Sequence, residues 1–356
     1  MERQTFSEVL RNWYYRNKRD LPWRNTKDPY KIWLSEVILQ QTRVVQGLPY
    51  YNKFVEKYPT VIHLADADQK DVLRLWQGLG YYSRARNMHQ TAKIVKDEWQ
   101  GKFPDTYAGL VKLKGIGPYT AAAIASFAFD EKVAVVDGNV YRVLARIFDI
   151  ETDIASHEAK KIFSELANEL ISAEEPGTHN QAVMEFGATY CTPVNPGCMY
   201  CIFNDGCQAN LQGKQAVLPV KLKKVKVRNR YFDYYVIEQA GKLLMAKRGP
   251  KDIWEGLYDF YLVESPGNLM EIETSDNDFL LALLPLATIR STSEVYRHIL
   301  THQRIEVRFW HLVVEGTLSI PLPPDYDFYD WEEIEHLPKP ILIEKYLKKN
   351  HRELKD

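Results

Sequence analysis

Between Phe6 and about Glu174 apolar residues recur mostly at helical spacing, interrupted by Pro and Gly at Pro59, Gly101 to Pro104, Gly115 to Pro118 and Gly138. This pattern predicts a bundle of helices. Beyond residue 230 it changes to alternation: Tyr231 to Gln239, an Ala240-Gly241 turn, Lys242 to Arg248, Gly256 to Val263 and Ile305 to Val314 read as strands, with a last helix over Ile341 to Lys349. The expected architecture is mainly α: a helical domain at 1–212, a linker at 213–230 and an α+β domain at 231–356. The length of 356 residues, beyond the usual reach of one hydrophobic core, agrees with two domains. No internal repeat or low-complexity tract appears, and no apolar run approaches the roughly 20 residues of a membrane-spanning helix.

A net charge of -1 argues against wholesale binding of a polyanion, so contact with nucleic acid would have to come from local segments. One such segment carries six basic residues and no acidic one: Lys221, Lys223, Lys224, Lys226, Arg228 and Arg230. It reads equally well as a solvated linker or a phosphate contact. The four cysteines sit together as Cys191-x6-Cys198-x2-Cys201-x5-Cys207. The chain opens on polar and charged residues, without the apolar run of a secretory leader, so a metal centre is expected rather than disulfides. Structural zinc usually sits between two short knuckles, whereas only Cys198 and Cys201 form one here, which favours an iron-sulfur cluster. A soluble protein inside the cell is the expectation.

Leu113 to Ala122 places Gly115 and Gly117 between helical stretches, with Pro118 suited to a first helical turn. Bare N–H groups at a helix N-terminus bind anions, and glycines let a DNA phosphate approach closely. Two carboxylates stand in contrasting settings. Glu36 lies in the helical run Trp33 to Thr42 among large apolar residues, where its charged form is disfavoured and a general acid is suited. Asp137 ends the extended apolar run Val133 to Val136 where the next helix begins, a position that favours an ionised carboxylate. Hydrolysis of glycosides divides its labour between two such carboxyls, one supplying a proton to the leaving group and one a negative charge beside the cationic sugar. Taken singly, Glu36 reads as a surface residue and Asp137 as a structural cap.

The hairpin and the four-cysteine loop together resemble the endonuclease III superfamily of DNA glycosylases. Leu21-Pro22-Trp23-Arg24, Glu36 to Thr42, Gln77 to Asn87 and Val136 to Asn139 look closer still to the MutY family, the adenine DNA glycosylases, over essentially the whole chain. The resemblance implies a helix-hairpin-helix domain with a 4Fe-4S cluster on Cys191, Cys198, Cys201 and Cys207, followed by a Nudix-like domain. It implies excision of adenine opposite 8-oxoguanine or guanine in double-stranded DNA by base flipping. Glu36 would protonate adenine, Asp137 would stabilise the oxocarbenium ion or add to it covalently, and Tyr119 and Asn139 would assist. Trp23, Arg24, Leu39, Val44 and Gln181 would line the adenine pocket, with substrate contacts extending to Thr42 and Leu79. Gln41 and Tyr81 would wedge into the duplex, and Gly115 and Gly117 would meet phosphate. Bifunctional relatives carry a lysine where this chain has Tyr119, so a monofunctional enzyme is expected, a monomer in a bacterial-type cytoplasm.

Two departures stand out. The family's recognition loop reads Phe-Ser-His, and here it is Leu300-Thr301-His302, which keeps a hydroxyl and loses an aromatic stack. Thr192 to Gly197 in the cysteine loop has no basic residue, and Lys221 to Arg230 is the candidate to compensate. No R-E-x-x-E-E run follows Gly256, so nucleotide pyrophosphatase activity is not expected. The rival readings are a relative removing oxidised pyrimidines, which Tyr119 disfavours, and a DNA-binding protein whose carboxylates are structural.

Overall fold

In a computed structural model of the chain, residues 3–222, 226–267, 272, 277–350 and 354 are described. Two compact units emerge: residues 1–66 with 87–223, and residues 67–86 with 224–356. The segment 67–86, which the helical pattern assigns to the first domain, groups with the second unit. Among the described residues no helix is long and apolar enough to cross a membrane.

The helices of the chain are α1 (Arg3–Asn17), α2 (Pro29–Leu39), α3 (Val44–Lys57), α4 (Val61–Asp66), α5 (Gln69–Leu75), α6 (Ser83–Trp99), α7 (Tyr107–Leu110), α8 (Pro118–Phe129), α9 (Gly138–Phe148), α10 (His157–Leu170), α11 (Pro176–Thr189), α12 (Gln208–Gln212), α13 (Asp278–Leu283), α14 (Trp331–His336) and α15 (Ile341–Lys349). In the first unit α2 and α8 form the centre. Ile32 to Ile38 and Thr120 to Phe127 are buried on all sides, as expected of helices apolar around their circumference. The turn between α7 and α8 is the anticipated hairpin, with Gly115 at φ +84°, Gly117 as the cap of α8 and Pro118 in its first turn. α11 packs on α8 and α9 through two bare positions. A Cβ on Gly177 would lie 2.5 Å from the Ser126 carbonyl oxygen, and one on Gly187 would lie 2.7 Å from Asn139 Cβ.

The run Val133 to Val136 is neither helix nor strand and pairs with no strand among the described residues, and of its four residues only Val135 is fully buried. Side-chain amides replace the partner: Asn168 Oδ1 accepts from Ala134 N, Asn180 Oδ1 accepts from Val135 N, and Asn180 Nδ2 donates to Val133 O. This fixes the approach to Asp137.

The second unit contains a seven-stranded mixed sheet in the order β4-β6-β1-β3-β2-β7, with β5 also on β6. Its strands are β1 (Arg228–Gln239), β2 (Lys242–Lys247), β3 (Tyr258–Ser265), β4 (Ala287–Thr292), β5 (Tyr296–Ile299), β6 (Gln303–Val314) and β7 (Tyr326–Tyr329). β1 and β2 join through Ala240 and Gly241, both at positive φ, the geometry of a tight hairpin. β1 pairs in parallel with β6 along its whole length, a pairing no local pattern announces. β1 begins at Arg228, inside the segment read as linker. Arg230 is buried and ion-paired with Asp252 and Glu264. That overturns its reading as a phosphate contact, because its charge is already neutralised internally. Lys223 and Lys224 lie outside the described residues.

Candidate active site

A cavity of about 840 Å³ opens in the first unit. α2 contributes Glu36 and Leu39, the turn after it contributes Gln41 and Thr42, the start of α3 contributes Val44, and the short 3-10 turn Pro22–Arg24 contributes Trp23 and Arg24. Tyr119 comes from α8, Asp137 and Asn139 from the start of α9, and Gln181 from α11. Eleven candidates separated by up to 158 residues in sequence, from Trp23 to Gln181, thus line one space. Leu79, a further candidate, belongs to the other unit and is buried there.

Burial lifts the Glu36 carboxyl to about 7, reinforced by the nearby Asp137 charge, and opposed by a hydrogen bond from Tyr119 Oη to Oε2 at 2.7 Å and by Arg24. At neutral pH the group can therefore hold a proton. Asp137 caps α9: Oδ1 accepts from Val140 N and Oδ2 from Asn139 Nδ2, each at 2.8 Å. Burial nevertheless raises its carboxyl above the ordinary aspartate range, against those bonds and Arg142. The helix-terminus setting alone implied only the stabilising half of that balance. Gln41 (φ 55°) and Tyr81 (φ 48°), the two candidate wedges, both hold the left-handed backbone conformation uncommon outside glycine, and both are exposed.

Residue-type reasoning overlooked Met184, Glu185 and Ala188, which with Gln181 line the cavity from one face of α11. Their 181-184-185-188 spacing was a readable signal. Buried Glu185 accepts from Arg19 Nε and Nη2 and from Arg24 Nη2 at 2.6–2.7 Å. Although burial opposes it, the two guanidinium groups hold its carboxyl at about 2. Arg142 was also overlooked. It donates to Asn139 Oδ1, Gly187 O and Cys191 O, joining the start of α9 to the first cysteine.

All four cysteines are free thiols and face one small pocket. Arg146 Nη1 donates to Cys191 Sγ and Phe203 N to Cys201 Sγ, each at 3.4 Å. Among the described residues no three His, Cys, Asp or Glu side chains converge as ligands of a single ion.

In the second unit Leu300 to His302 form the tip between β5 and β6, closed by Leu300 N on Gln303 O at 2.8 Å. Thr301 and His302 are exposed at that tip. The Tyr81 hydroxyl shares a hydrogen bond with Thr301 Oγ1.

A helical unit with a hairpin that bares its backbone, and a cavity holding one proton-retaining and one capped carboxylate, defines the class of helix-hairpin-helix DNA glycosylases. The HhH-GPD superfamily of base excision DNA repair proteins matches residues 34–169, and a NUDIX domain matches residues 233–349. An adenine DNA glycosylase of Buchnera aphidicola (Schizaphis graminum) is 36% identical over 254 residues, 71% of this chain and 73% of that protein. One of Mus musculus is 33% identical over 390 residues, 92% of this chain and 74% of that protein. Among solved structures, a thermostable thymine-DNA glycosylase aligns with a TM-score of 0.55 at 28% identity, over 59% of this chain and 97% of that one. The chain belongs to the adenine DNA glycosylase family, enzymes that cleave N-glycosidic bonds in base excision repair.

Proposed function

We propose that the protein is a monofunctional glycosylase that excises adenine mispaired with 8-oxoguanine or guanine in double-stranded DNA. The observation that carries this reading is the carboxylate pair in one cavity: Glu36, titrating near 7 under the Tyr119 hydroxyl, and Asp137, capped by α9. Extrusion of the adenine costs a few kcal/mol of lost stacking and pairing. Trp23, Leu39 and Val44 supply apolar walls for the base, and Arg24 and Gln181 supply polar contacts. Glu36 transfers its proton to a ring nitrogen as the C1′–N9 bond breaks, and the bonding electrons leave with the base. The cationic sugar that remains is balanced by Asp137, which Asn139 holds in place. Water then adds at C1′ and its proton passes to the Glu36 carboxylate, leaving an abasic site. Tyr119 has no amine, so no Schiff base forms and the strand stays intact.

Gly117 suits a phosphate contact, since nothing lies within 4 Å of where its Cβ would be. Gln41 and Tyr81 suit wedges because strained, exposed residues at turn tips persist where function needs them. The Tyr81 hydrogen bond to Thr301 supports a joint role for that wedge and the Leu300-Thr301-His302 tip at the base opposite adenine. For a 4Fe-4S cluster, the four unpaired thiols around one pocket, with Arg146 and the Phe203 amide donating to sulfur, are a fitting donor set. When bound, such a cluster supplies coordinate bonds that close the loop from Cys191 to Cys207.

The test is base release from duplexes carrying adenine opposite 8-oxoguanine, guanine, thymine or cytosine. Preference for the first two is expected. Release that survives both Glu36→Gln and Asp137→Asn sinks the catalytic assignment, and a parent protein that never releases adenine supports a DNA-binding module instead. Borohydride trapping through an essential lysine would overturn the monofunctional reading.

A further inference from the structure

Tyr14 of α1 touches two residues of the base cavity without lining it itself. Its hydroxyl donates to Gln181 Oε1 at 2.5 Å, and its ring lies under the Arg24 guanidinium at 5.6 Å. The side chain is 3% exposed, so its O–H proton must find an acceptor inside the protein. Gln181 Oε1 is that acceptor. The amide is thereby held in one of its two orientations, with Oε1 turned to Tyr14. Its Nε2 has no protein partner among the described residues and remains available to the cavity that Gln181 lines. Arg24 is fixed by the Tyr14 ring, by the Glu185 carboxylate, which accepts from Nη2 at 2.6 Å, and by the Arg19 carbonyl, which accepts from Nη1 at 3.1 Å.

We propose that Tyr14 is a positioning residue for base recognition: its hydroxyl sets the orientation of the Gln181 amide while its ring backs Arg24, so both present N–H donors toward the extruded base. The complementary partner is a base edge with ring-nitrogen acceptors, as a purine has. The proposal rests on the adenine-excising reading, and deepens it.

Tyr14→Phe keeps the ring and removes the proton that orients the amide. In single-turnover release of adenine opposite 8-oxoguanine by the full-length protein, the rate at saturating protein is expected to fall about tenfold, the scale of one hydrogen bond to a positioned group. The half-saturating concentration, dominated by phosphate contacts, is expected to stay within twofold. The double variant with Gln181→Met is expected to be no slower than Gln181→Met alone, because Tyr14 acts through Gln181. A Tyr14→Phe rate within twofold of the parent, or losses that add in full in the double variant, overturns the proposal. Gln181→Met leaves α1 intact and tests the same link from α11. A rate within twofold of the parent there overturns the proposal whatever Tyr14→Phe does. A parent protein that releases no adenine strikes the functional reading itself, which distinguishes the two failures.

Discussion

Glu36 is costly where it sits. Its carboxyl is raised from 4.5 to about 7 by burial, so the folded protein binds its proton more tightly than the unfolded chain does. The stability associated with the protonated group is full below pH 4.5 and is lost as pH rises toward 7, amounting to roughly 3 kcal/mol by pH 8. Glu36→Gln is accordingly expected to abolish adenine release and yet raise the denaturation midpoint at pH 8 more than at pH 4, measured by chemical unfolding at both values. Since the acid is the protonated form, the rate of base release is expected to fall about tenfold per unit above pH 7. Tyr119→Phe removes a bond that lowers the Glu36 value, so the alkaline limb of the pH-rate profile is expected to move upward. A limb that stays in place or moves down would contradict the assignment of that limb to Glu36. The character of Glu36 was legible because most of its neighbours in the helical run, Trp33, Leu34, Val37, Ile38 and Leu39, are large and apolar. The net balance at Asp137 was not, because the burial that opposes its cap comes from residues distant in sequence.

Among the elements, α11 is the one that local reasoning undervalued. It carries Gln181, Met184, Glu185 and Ala188 on the cavity face, and it reaches α9 because Gly187 has no side chain. Gly187→Ala would bring a Cβ to 2.7 Å of Asn139 Cβ and 3.1 Å of its carbonyl oxygen. Asn139 and the cap of α9 would have to shift. A loss of roughly 1–3 kcal/mol in stability, together with a larger loss in base release, is expected from melting and single-turnover assays. α8, whose start is marked by Gly117-Pro118, and the amphipathic α15 over Ile341–Lys349 were readable from sequence, as was the β1–β2 hairpin around Ala240-Gly241. The run before Asp137, read as a buried extended segment, has only Val135 buried and forms no strand. What it lacked was a sheet, since Asn168 and Asn180 satisfy its backbone instead, and no periodicity encodes partners 34 and 45 residues away.

Across the whole molecule, near-neutral charge leaves DNA affinity to particular residues. Arg230 belongs to an internal network with Asp252, Glu264 and Arg248, whereas Lys221 and Lys226 lie in the exposed part of the same basic stretch. Replacing Lys221 and Lys226 by Gln is expected to flatten the salt dependence of DNA binding by about 0.9 for each phosphate that is no longer neutralised. Arg230→Gln should leave that slope unchanged and destabilise the sheet, since Asp252 and Glu264 lose the buried cation they share, keeping only Arg248 and the exposed Arg228 respectively. Equal slopes for all three proteins would remove the basic stretch from the DNA interface. Cys198→Ser is expected to lower bound iron and visible absorbance together if the four thiols hold a 4Fe-4S cluster, an outcome an iron assay checks directly.

By itself the sequence determined the succession from helical to alternating pattern, the hairpin, the grouping of the cysteines and the contrasting local settings of Glu36 and Asp137, because each of these is written in spacings of a few residues. The tertiary structure alone decided that Trp23, Glu36, Tyr119, Asp137 and Gln181 share one cavity, that Glu185 and Tyr14 hold its polar side chains, and that Arg230 is committed internally. Those outcomes depend on burial and on partners distant along the chain, and desolvation and long-range pairing exist only once the helices and strands have packed.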